Sequence, residues 1–562
     1  MRNSYCIFAA TALKSSQPHG GSAMAHWATS PLDRDQVVLF SPTLDQTIAD
    51  DHPVRLFSET LQTLDFSEWE LMYIRVVGQP PIHPRVLAGC ILYGLSLGIR
   101  SSRRLEDAAA NRLDFIWLLE GRVPDHATIC KFRTAFGPQI KSLFRQVGRV
   151  AIELGLITLN QVMLDGTDPR ANNSRYATNR RASLQQKIDA LDKQVDQLMA
   201  EADQQDKADD ALFGEGSPAK LPKPLRNLKA RQDRLREAMA NLTELEKDRG
   251  KRKDTAKGPD AADGKAADGK AAVKGKAAAK GKAAAKGPAI PTTDPDARVL
   301  PTKQGGYAPG YTLVLATDAQ HGFIVDAQVI VGNDETSTVL PAIERIEESF
   351  GRKPDELITD SGFNTGPNLA GLKAKQVEPL MPARQALDAS AAERADPATP
   401  VAEADRAALP MNPQNKVLDR KAFLYDREKD HYHCPNGRVL PRTDDKPYDR
   451  KGEKGTYKVY ESVDCGSCPL SARCLLGKSP TRRVCRDENE ELREEMAARM
   501  NTEAGKEKYK QRAPVAETAF AVLKARMNLR QFMLRGIEKV RIEMNWAVTT
   551  FNLVKLIKLA NA

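Results

Sequence analysis

The chain has 562 residues, a net charge of +10 and a pI of about 9.0. The length predicts several domains, and because no apolar run approaches the roughly 18–20 residues that a membrane-spanning helix needs, we expect no membrane segment. The charge favours a polyanionic partner such as DNA, although residues 251–287 hold eleven Lys or Arg against four Asp and so carry most of it. The first residues lack the apolar core of a signal peptide, so we expect a cytoplasmic protein.

The N-terminal third of the chain is predicted to be helical. Residues 1–39 have no regular pattern and are expected to be poorly structured, whereas residues 40–155 contain helical apolar spacing with Ser starts and Gly stops. Asp125 is predicted to cap a helix that presents Lys131 and Arg133. A short turn between two helices, the second of them basic, is typical of a helix-turn-helix that binds DNA; an ordinary helical bundle with solvated basic residues fits the same spacing.

The pattern then changes to strands. Residues 156–180 contain VMLDGT, a predicted strand that ends in Asp165. Residues 299–380 contain a predicted hairpin at 311–331, an amphipathic helix at 339–350 and a short strand, ELIT, that ends in Asp360. Residues 501–562 are predicted to add helices, the first with Pro514 in its first turn. This order predicts a multidomain α/β protein built on a mixed sheet with helices against it.

Two insertions interrupt the predicted sheet. Residues 181–250 have apolar residues at heptad spacing and are predicted to form an antiparallel helical hairpin. Residues 251–298 form a basic low-complexity linker that is expected to be disordered, because it has little to bury. This linker contains a partial phosphate-binding loop, but without the Ser or Thr for Mg²⁺ or a preceding strand, so no nucleotide cofactor is expected. Residues 381–500 form the second insertion.

Three carboxylates stand at the predicted element ends: Asp165, Asp360 and Glu517. Carboxylates brought together by a fold are the ligands that a pair of hard divalent cations requires. Three other acids with similar surroundings compete with them: Asp168, Asp318 and Asp326.

Basic residues flank the third carboxylate. Lys524 lies two helical turns after Glu517 and is expected on the same helix face. Arg512 is expected just outside that helix, where it could contact a phosphate. These neighbours favour a phosphate backbone as the substrate.

The second insertion contains a group of thiols, Cys434, Cys465, Cys468 and Cys474, with one true CxxC pair. Four such thiols can hold a tetrahedral Zn²⁺, and reduced buried thiols are the alternative. Cys485 lies outside this pattern.

These motifs together resemble the DDE transposases of bacterial insertion sequences, whose catalytic core is RNase H-like. LDGT followed by Ala171, Asn172 and Ser174 resembles the first-Asp motif of that family, and TDSGF resembles the second. The segment YKQRAPVAETAFAVLK resembles the family's Tyr-Arg-Glu-Lys signature, formed here by Tyr509, Arg512, Glu517 and Lys524. One departure from the strict signature is that Arg512 lies five residues before Glu517 instead of four.

The resemblance implies an enzyme that cuts and joins DNA. Asp165, Asp360 and Glu517 would hold two Mg²⁺ or Mn²⁺ ions, while Arg512, Lys524 and Tyr509 would bind DNA phosphates. The partners would be the terminal inverted repeats and target DNA, with a homodimer in the synaptic complex. The resemblance also supports the four thiols as a recurrent feature.

Two alternatives remain at this point. One is a catalytically inactive DNA-binding regulator derived from a transposase. The other is a metal-dependent nuclease that cuts but does not join.

Overall fold

The computed structural model describes residues 43–73, 80–213, 223–255, 287–302, 305–383, 396–412, 415–450, 453–463, 465–477 and 479–561. Residues 1–47 are a separate unit, of which the described part contains one 3₁₀ turn, Asp45–Thr47. Residues 48–562 form the second unit. The predictions for residues 1–39 and for most of the low-complexity linker concern residues outside these ranges.

The described helices, in chain order, are α1 (Pro53–Thr63), α2 (Ser67–Glu70), α3 (Pro84–Ser96), α4 (Ser102–Asn111), α5 (Leu113–Leu118), α6 (His126–Ala135), α7 (Gly137–Glu153), α8 (Arg181–Phe213), α9 (Lys223–Thr255), α10 (Val339–Phe350), α11 (Gly366–Ala374), α12 (Ser471–Cys474), α13 (Glu490–Asn501), α14 (Glu503–Lys510), α15 (Arg512–Ala521) and α16 (Ile537–Ala560). Short 3₁₀ segments and one π-helical turn, Val522–Arg526, complete the helical structure. Within the described ranges, no helix is long and apolar enough to cross a membrane.

The strands are β1 (Gln161–Thr167), β2 (Thr178–Asn179), β3 (Ile290–Pro291), β4 (Arg298–Pro301), β5 (Tyr307–Gly310), β6 (Thr312–Asp318), β7 (Ile324–Ile330), β8 (Glu356–Thr359), β9 (Glu378–Leu380), β10 (Leu424–Asp426), β11 (His431–His433), β12 (Val439–Arg450), β13 (Glu453–Glu461) and β14 (Arg483–Asp487). The fold class predicted from the sequence, mixed α/β, is therefore confirmed.

The central sheet has five strands in the order β7-β6-β1-β8-β9. β7, β6 and β1 are antiparallel neighbours, and the short turn between β6 and β7 makes those two strands a hairpin. β8 and β9 pair in parallel with β1 and β8, and α10 and α11 provide the crossovers that parallel strands need. The predicted hairpin, the helix at 339–350 and the strand before Asp360 are confirmed.

The N-terminal helices share a hydrophobic core with this sheet. One continuous cluster of buried side chains includes Val54 of α1, Ile140 of α7, Leu164 of β1 and Trp546 of α16. Because α16 packs against α3, α7 and β7, the C-terminal helix links the two ends of the chain. The extended backbone of Arg112 separates α4 from α5.

The first insertion contains the predicted antiparallel pair. α8 and α9 pack through a small apolar cluster that includes Leu184, Leu191, Leu235 and Leu242. The end of the predicted linker is structured, because Ile290 pairs with Asn179 across β2 and β3.

The second insertion contains its own five-stranded antiparallel sheet in the order β10-β11-β12-β13-β14. Its core includes Phe423, Tyr432, Leu440 and Tyr460. This small sheet carries the cysteine-containing turns.

Candidate active site

Two of the predicted carboxylates lie on adjacent strands of the central sheet. Leu164 of β1 pairs with Thr359 of β8 in parallel register, so Asp165 and Asp360 occupy the next position on the two chains. Strands in such a pair lie about 4.8 Å apart. The prediction that β1 ends in Asp165 is wrong, because the strand continues to Thr167, whose partner is Leu313 of β6.

Both carboxylates point to one face of the sheet. Side chains two positions apart share a face, and Met163 and Ile358, two residues before Asp165 and Asp360, belong to one buried cluster. Tyr509 packs against that same cluster. The segment that contains the Tyr-Arg-Glu-Lys signature therefore covers the face to which the two aspartates point.

Arg512 connects this segment to the aspartates. One guanidinium nitrogen, Nη2, lies 2.9 Å from Asp165 Oδ1 and 4.0 Å from Asp360 Oδ2. The side chain of Arg512 is only 14% exposed, and its Nε is buried without a hydrogen-bond partner in the described part of the chain. Arg512 is the first residue of α15, so the expectation that it lies outside the helix is wrong.

Tyr509 supports Arg512 from the end of α14. Burial raises the pKa of the Tyr509 hydroxyl, and the neighbouring guanidinium of Arg512, to which the hydroxyl is hydrogen-bonded, opposes that rise. The spacing of these two signature residues therefore allows the tyrosine to position the arginine.

Glu517 lies on the same helix but is exposed. It comes five residues after Arg512, about 7.5 Å further along the helix axis. Further along this segment, Lys524 also contacts β1, because its Nζ donates to Thr167 Oγ1. Thr167 shares the Asp165 face of β1, so Glu517 lies along the chain between two residues that contact this face.

Lys524 lies in the π-helical turn that extends α15. Its Nζ is also 5.4 Å from the centre of the Phe520 ring. Single π-helical turns are frequent at functional sites because they realign the side chains that follow.

A fourth acid, Glu335, was missed by the sequence analysis. It lies in the 3₁₀ turn before α10, and its carboxylate lies against Gly166, where a Cβ atom would be 2.2 Å from Oε1. Burial, and then the charges of Asp168, Asp360 and Asp165, raise its pKa to about 8.

Glu335 lies on the opposite face of β1 from Asp165, because consecutive strand residues point to opposite faces. The available signal was the glycine in LDGT, which gives the glutamate the space it occupies. Sequence alone offered no reason to connect residues so far apart.

The rival aspartates have structural roles. Asp318 Oδ2 accepts the backbone N–H of Leu159 at 2.9 Å, and burial raises the pKa of this acid. Asp326 forms a two-pronged ion pair with Arg345, at 2.9 and 2.7 Å. Asp168 accepts the Thr312 hydroxyl at 2.7 Å.

The residues after the first aspartate pair with the C-terminal segment. The side-chain amide of Gln531 donates to the carbonyl of Ala171 at 3.0 Å, and Arg535 Nε donates to the carbonyl of Asn172 at 3.1 Å. These bonds connect the first-Asp motif to the segment that follows Lys524.

A basic cavity lies beside this junction. Its lining includes four arginines, Arg100, Arg104, Arg170 and Arg530. Arg100 is committed to a buried ion pair with Glu543, whereas Arg104, Arg170 and Arg530 are exposed. The backbone N–H of Arg170 donates to the carbonyl of Arg530 at 3.1 Å, so this positive surface is joined directly to the end of β1.

The two residues of α6 that were predicted to bind DNA, Lys131 and Arg133, differ in exposure. Asp125 caps the helix as expected, since its Oδ1 accepts the N–H of Thr128 at 2.6 Å. Lys131 is exposed. Arg133 is buried and donates to the carbonyl of Arg100 at 2.8 Å, so its guanidinium serves the fold and is not presented to DNA.

The four clustered cysteines line one small cavity of the second insertion. Burial and the nearby thiols Cys465, Cys434 and Cys468 raise the pKa of Cys474 to about 12, against the effect of Arg482. Cys485 lies in β14, away from that cavity. No disulfide joins the described cysteines to one another.

The aspartate pair has the donor chemistry of a divalent cation site. Two carboxylates on one face, with a cationic guanidinium near both and an unpaired buried nitrogen on that guanidinium, form a region that accommodates positive charge and further oxygen ligands. Asp165 and Asp360 therefore fit the role of metal ligands.

Two family models match the chain. Residues 433–557 match a transposase DDE domain, which covers Arg512, Glu517 and Lys524. Residues 42–135 match a transposase domain known as DUF772, which covers the N-terminal helices up to α6. A search of curated proteins gives no match. Together with the aspartate pair and the arginine that joins it to the signature helix, these matches support an insertion-sequence DDE transposase.

Proposed function

We propose that this transposase catalyses metal-dependent cleavage and strand transfer of DNA at the ends of its own mobile element. The observation that carries the proposal is the position of Asp165 and Asp360 next to each other on parallel strands, with Arg512 near both. No element of this arrangement requires a nucleotide cofactor.

We further propose that the central sheet is the RNase H-like core expected from the family resemblance. Three antiparallel strands followed by two parallel strands, with the first aspartate on the middle strand β1, support this proposal. The helical insertion lies between β1 and β6, and the cysteine-containing insertion lies between β9 and α13.

Asp165 and Asp360 would hold divalent cations, with Glu517 as the third carboxylate. When bound, Mg²⁺ or Mn²⁺ would activate the attacking oxygen and stabilise the charge that develops at phosphorus. Glu517 is carried by α15, the helix whose first residue, Arg512, contacts Asp165.

Arg512 would hold the two aspartates in place before DNA binds, because its guanidinium already neutralises part of their charge. Tyr509 would fix the position of that guanidinium. Lys524, held at Thr167 on the same face of β1, would bind a phosphate next to the reacting group.

The DNA backbone would pass along the cavity lined by Arg104, Arg170 and Arg530. The exposed guanidinium groups supply the positive charge that phosphate binding needs. The backbone hydrogen bond between Arg170 and Arg530 places this surface near the end of the strand that carries Asp165.

The substitution Asp360→Asn tests the cleavage proposal. It keeps the side-chain volume and removes the charge, so binding of element-end DNA should persist while Mg²⁺-dependent nicking falls by at least about 10³-fold, the scale of losing an essential charged group. Asp355→Asn is the matched control, because Asp355 is exposed, lies just before β8 and pairs with Arg352.

The DNA products of these reactions distinguish a transposase from a DNA-binding regulator and from a nuclease that does not join ends. Nicking by Asp360→Asn at the parent rate would contradict the assignment of the pair. Parent protein that binds but never nicks would identify a regulator, and cut ends without joined products would identify a nuclease.

We also propose that Cys434, Cys465, Cys468 and Cys474 hold one structural Zn²⁺. Their shared cavity supports the proposal, and ionised thiols bound to zinc would offset the burial that otherwise disfavours them. Cys468→Ser should lower the zinc content by one equivalent and reduce stability, whereas Cys485→Ser should change neither. Elemental analysis of both variants decides between zinc and reduced thiols.

A further inference from the structure

Three potential metal ligands converge on the second insertion, outside the aspartate pair and outside the cysteine cavity. They are Asp426 of β10 and His431 and His433 of β11. One ligand atom from each lies within 4.8 Å of the other two. Among the described residues, these three carry ligand atoms that are close enough to share one ion as they stand.

Strand geometry explains the convergence. His431 and His433 are two positions apart and share a face of β11. Asp426 is the direct antiparallel partner of His431, and side chains of directly paired residues lie on the same face about 5 Å apart. Three ligands therefore project from one two-stranded surface whose spacing is fixed by backbone hydrogen bonds.

The opposite face of the same strand is the apolar one. Tyr432 lies between the two histidines and is buried in the core of the small sheet, against which Cys434 also packs. The histidines therefore point away from the cysteine cavity, and the two groups are separate.

The imidazoles are close together and largely enclosed. His431 Nε2 and His433 Nε2 are 3.0 Å apart. The His433 residue is 8% exposed, and the His431 side chain is 14% exposed. Two ring nitrogens at this distance either share one proton or direct their lone pairs at one cation.

Asp426 is oriented toward the histidines by its own turn. Its Oδ1 accepts the backbone N–H groups of Glu428 and Lys429 at 3.0 and 3.2 Å. Its other oxygen, Oδ2, lies 3.8 Å from His431 Nε2. The exposed Lys429 ammonium lies 3.9 Å from that same oxygen, and a bound cation would displace this weak surface pair.

We propose that Asp426, His431 and His433 form a second transition-metal site, which takes Zn²⁺. Two imidazoles and one carboxylate are a zinc ligand set with a fourth position for water or another ligand. Imidazole nitrogen disfavours Mg²⁺, which prefers oxygen ligands. The site would cross-link β10 to β11 at the edge of the small sheet, independently of the reaction at Asp165 and Asp360.

The test is Zn²⁺ binding by the full-length chain in excess Mg²⁺, which keeps the hard carboxylate site from contributing. The parent should bind one more equivalent of Zn²⁺ than the double variant His431→Gln/His433→Gln. His321→Gln is the control, because His321 lies in the turn between β6 and β7, and it should bind as the parent does.

The same measurement with Co²⁺ distinguishes the cysteine site from the site formed by Asp426, His431 and His433. Thiolate ligands give intense sulfur-to-cobalt charge-transfer absorption, which nitrogen and oxygen ligands do not. The double histidine variant should keep that absorption and bind one equivalent of Co²⁺ less than the parent. Cys468→Ser should lose the absorption and keep the equivalent of Co²⁺ that depends on the histidines.

Equal Zn²⁺ stoichiometry and affinity for the parent and the double histidine variant would overturn the proposal and leave a hydrogen bond between two imidazoles. If the double variant is misfolded by circular dichroism, Asp426→Asn provides the second test, because it keeps the side-chain shape and should weaken the same equivalent by about 10-fold or more. Unchanged affinity in a folded Asp426→Asn protein would also contradict the site.

Discussion

At the scale of single residues, Glu335 is a buried acid that lies near three other acids of the central sheet. Its carboxylate occupies the space that Gly166 leaves open, near Asp168, Asp360 and Asp165. Because burial and three neighbouring negative charges disfavour ionisation, a proton remains on this glutamate at pH values where an exposed glutamate is charged. A methyl group at Gly166 would displace this carboxylate.

This proton makes the stability of the metal-free protein depend on pH. The folded-state pKa of Glu335 is about 8, against an ordinary value of 4.5. Between these values the folded chain holds a proton that the unfolded chain has released, so the free energy of unfolding falls as the pH rises. The contribution is complete below the ordinary value and lost above about pH 8.

Glu335→Gln should remove this dependence, because the amide imitates the protonated acid. In the presence of a chelator the variant should match the parent near pH 5 and exceed its unfolding free energy by on the order of 2–4 kcal/mol near pH 8.5. Denaturant unfolding across that range measures the difference, with Asp355→Asn as the control. Parallel curves for the parent and Glu335→Gln would show that Glu335 ionises normally.

At the scale of elements, one buried amide side chain of α16 forms hydrogen bonds with the sheet. Asn552 is fully buried, and its Oδ1 accepts the N–H of Ile324 at 2.9 Å while its Nδ2 donates to the Ile324 carbonyl at 2.7 Å. The late asparagine of the C-terminal segment thus satisfies two backbone groups at the start of β7. A helix side chain here substitutes for a missing strand partner.

Asn552→Ala should leave both backbone groups buried without partners. We expect a loss of about 2–4 kcal/mol in unfolding free energy, since each unsatisfied buried group costs roughly 1–3 kcal/mol. Asn561→Ala is the matched control at the exposed end of the same helix. Urea denaturation of the two variants checks the prediction, and equal midpoints would mean that water replaces the amide at β7.

At the scale of the whole molecule, the N-terminal helices and the sheet are built on one core. Trp546 of α16 contacts Trp69 edge to face at 5.9 Å, and its indole N–H donates to the Arg133 carbonyl at 3.0 Å. These contacts join the region that matches DUF772 to the region that matches the DDE domain. Any reorientation of the N-terminal helices on DNA would therefore disturb the core next to the sheet.

Trp546→Ala should destabilise both regions together. Truncating a fully buried tryptophan costs about 3–5 kcal/mol, and hydrogen exchange should accelerate in α6 as well as in β7. Leu113→Ala, at a side chain that is 56% exposed, should leave both unchanged. Faster exchange confined to α16 would mean that the N-terminal helices fold independently.

The sequence by itself determined most of the local elements around the candidate site. Alternation and apolar runs predicted the hairpin of β6 and β7 and the strand before Asp360, because these patterns depend on residues close together in the chain. The same local rules predicted the Asp125 cap, which the structure confirms. They also identified Asp165, Asp360 and Glu517 as candidates for one site.

Only the tertiary structure decided what those residues do with one another. The register of β1 against β8 brings Asp165 beside Asp360, α15 brings Arg512 to both, and the turn before α10 brings Glu335 to Gly166. Arg133 is buried and Asp326 is paired with Arg345, and their local sequence does not reveal either fact. The physical reason is that burial and charge at each position are set by residues hundreds of positions away, which no local pattern specifies.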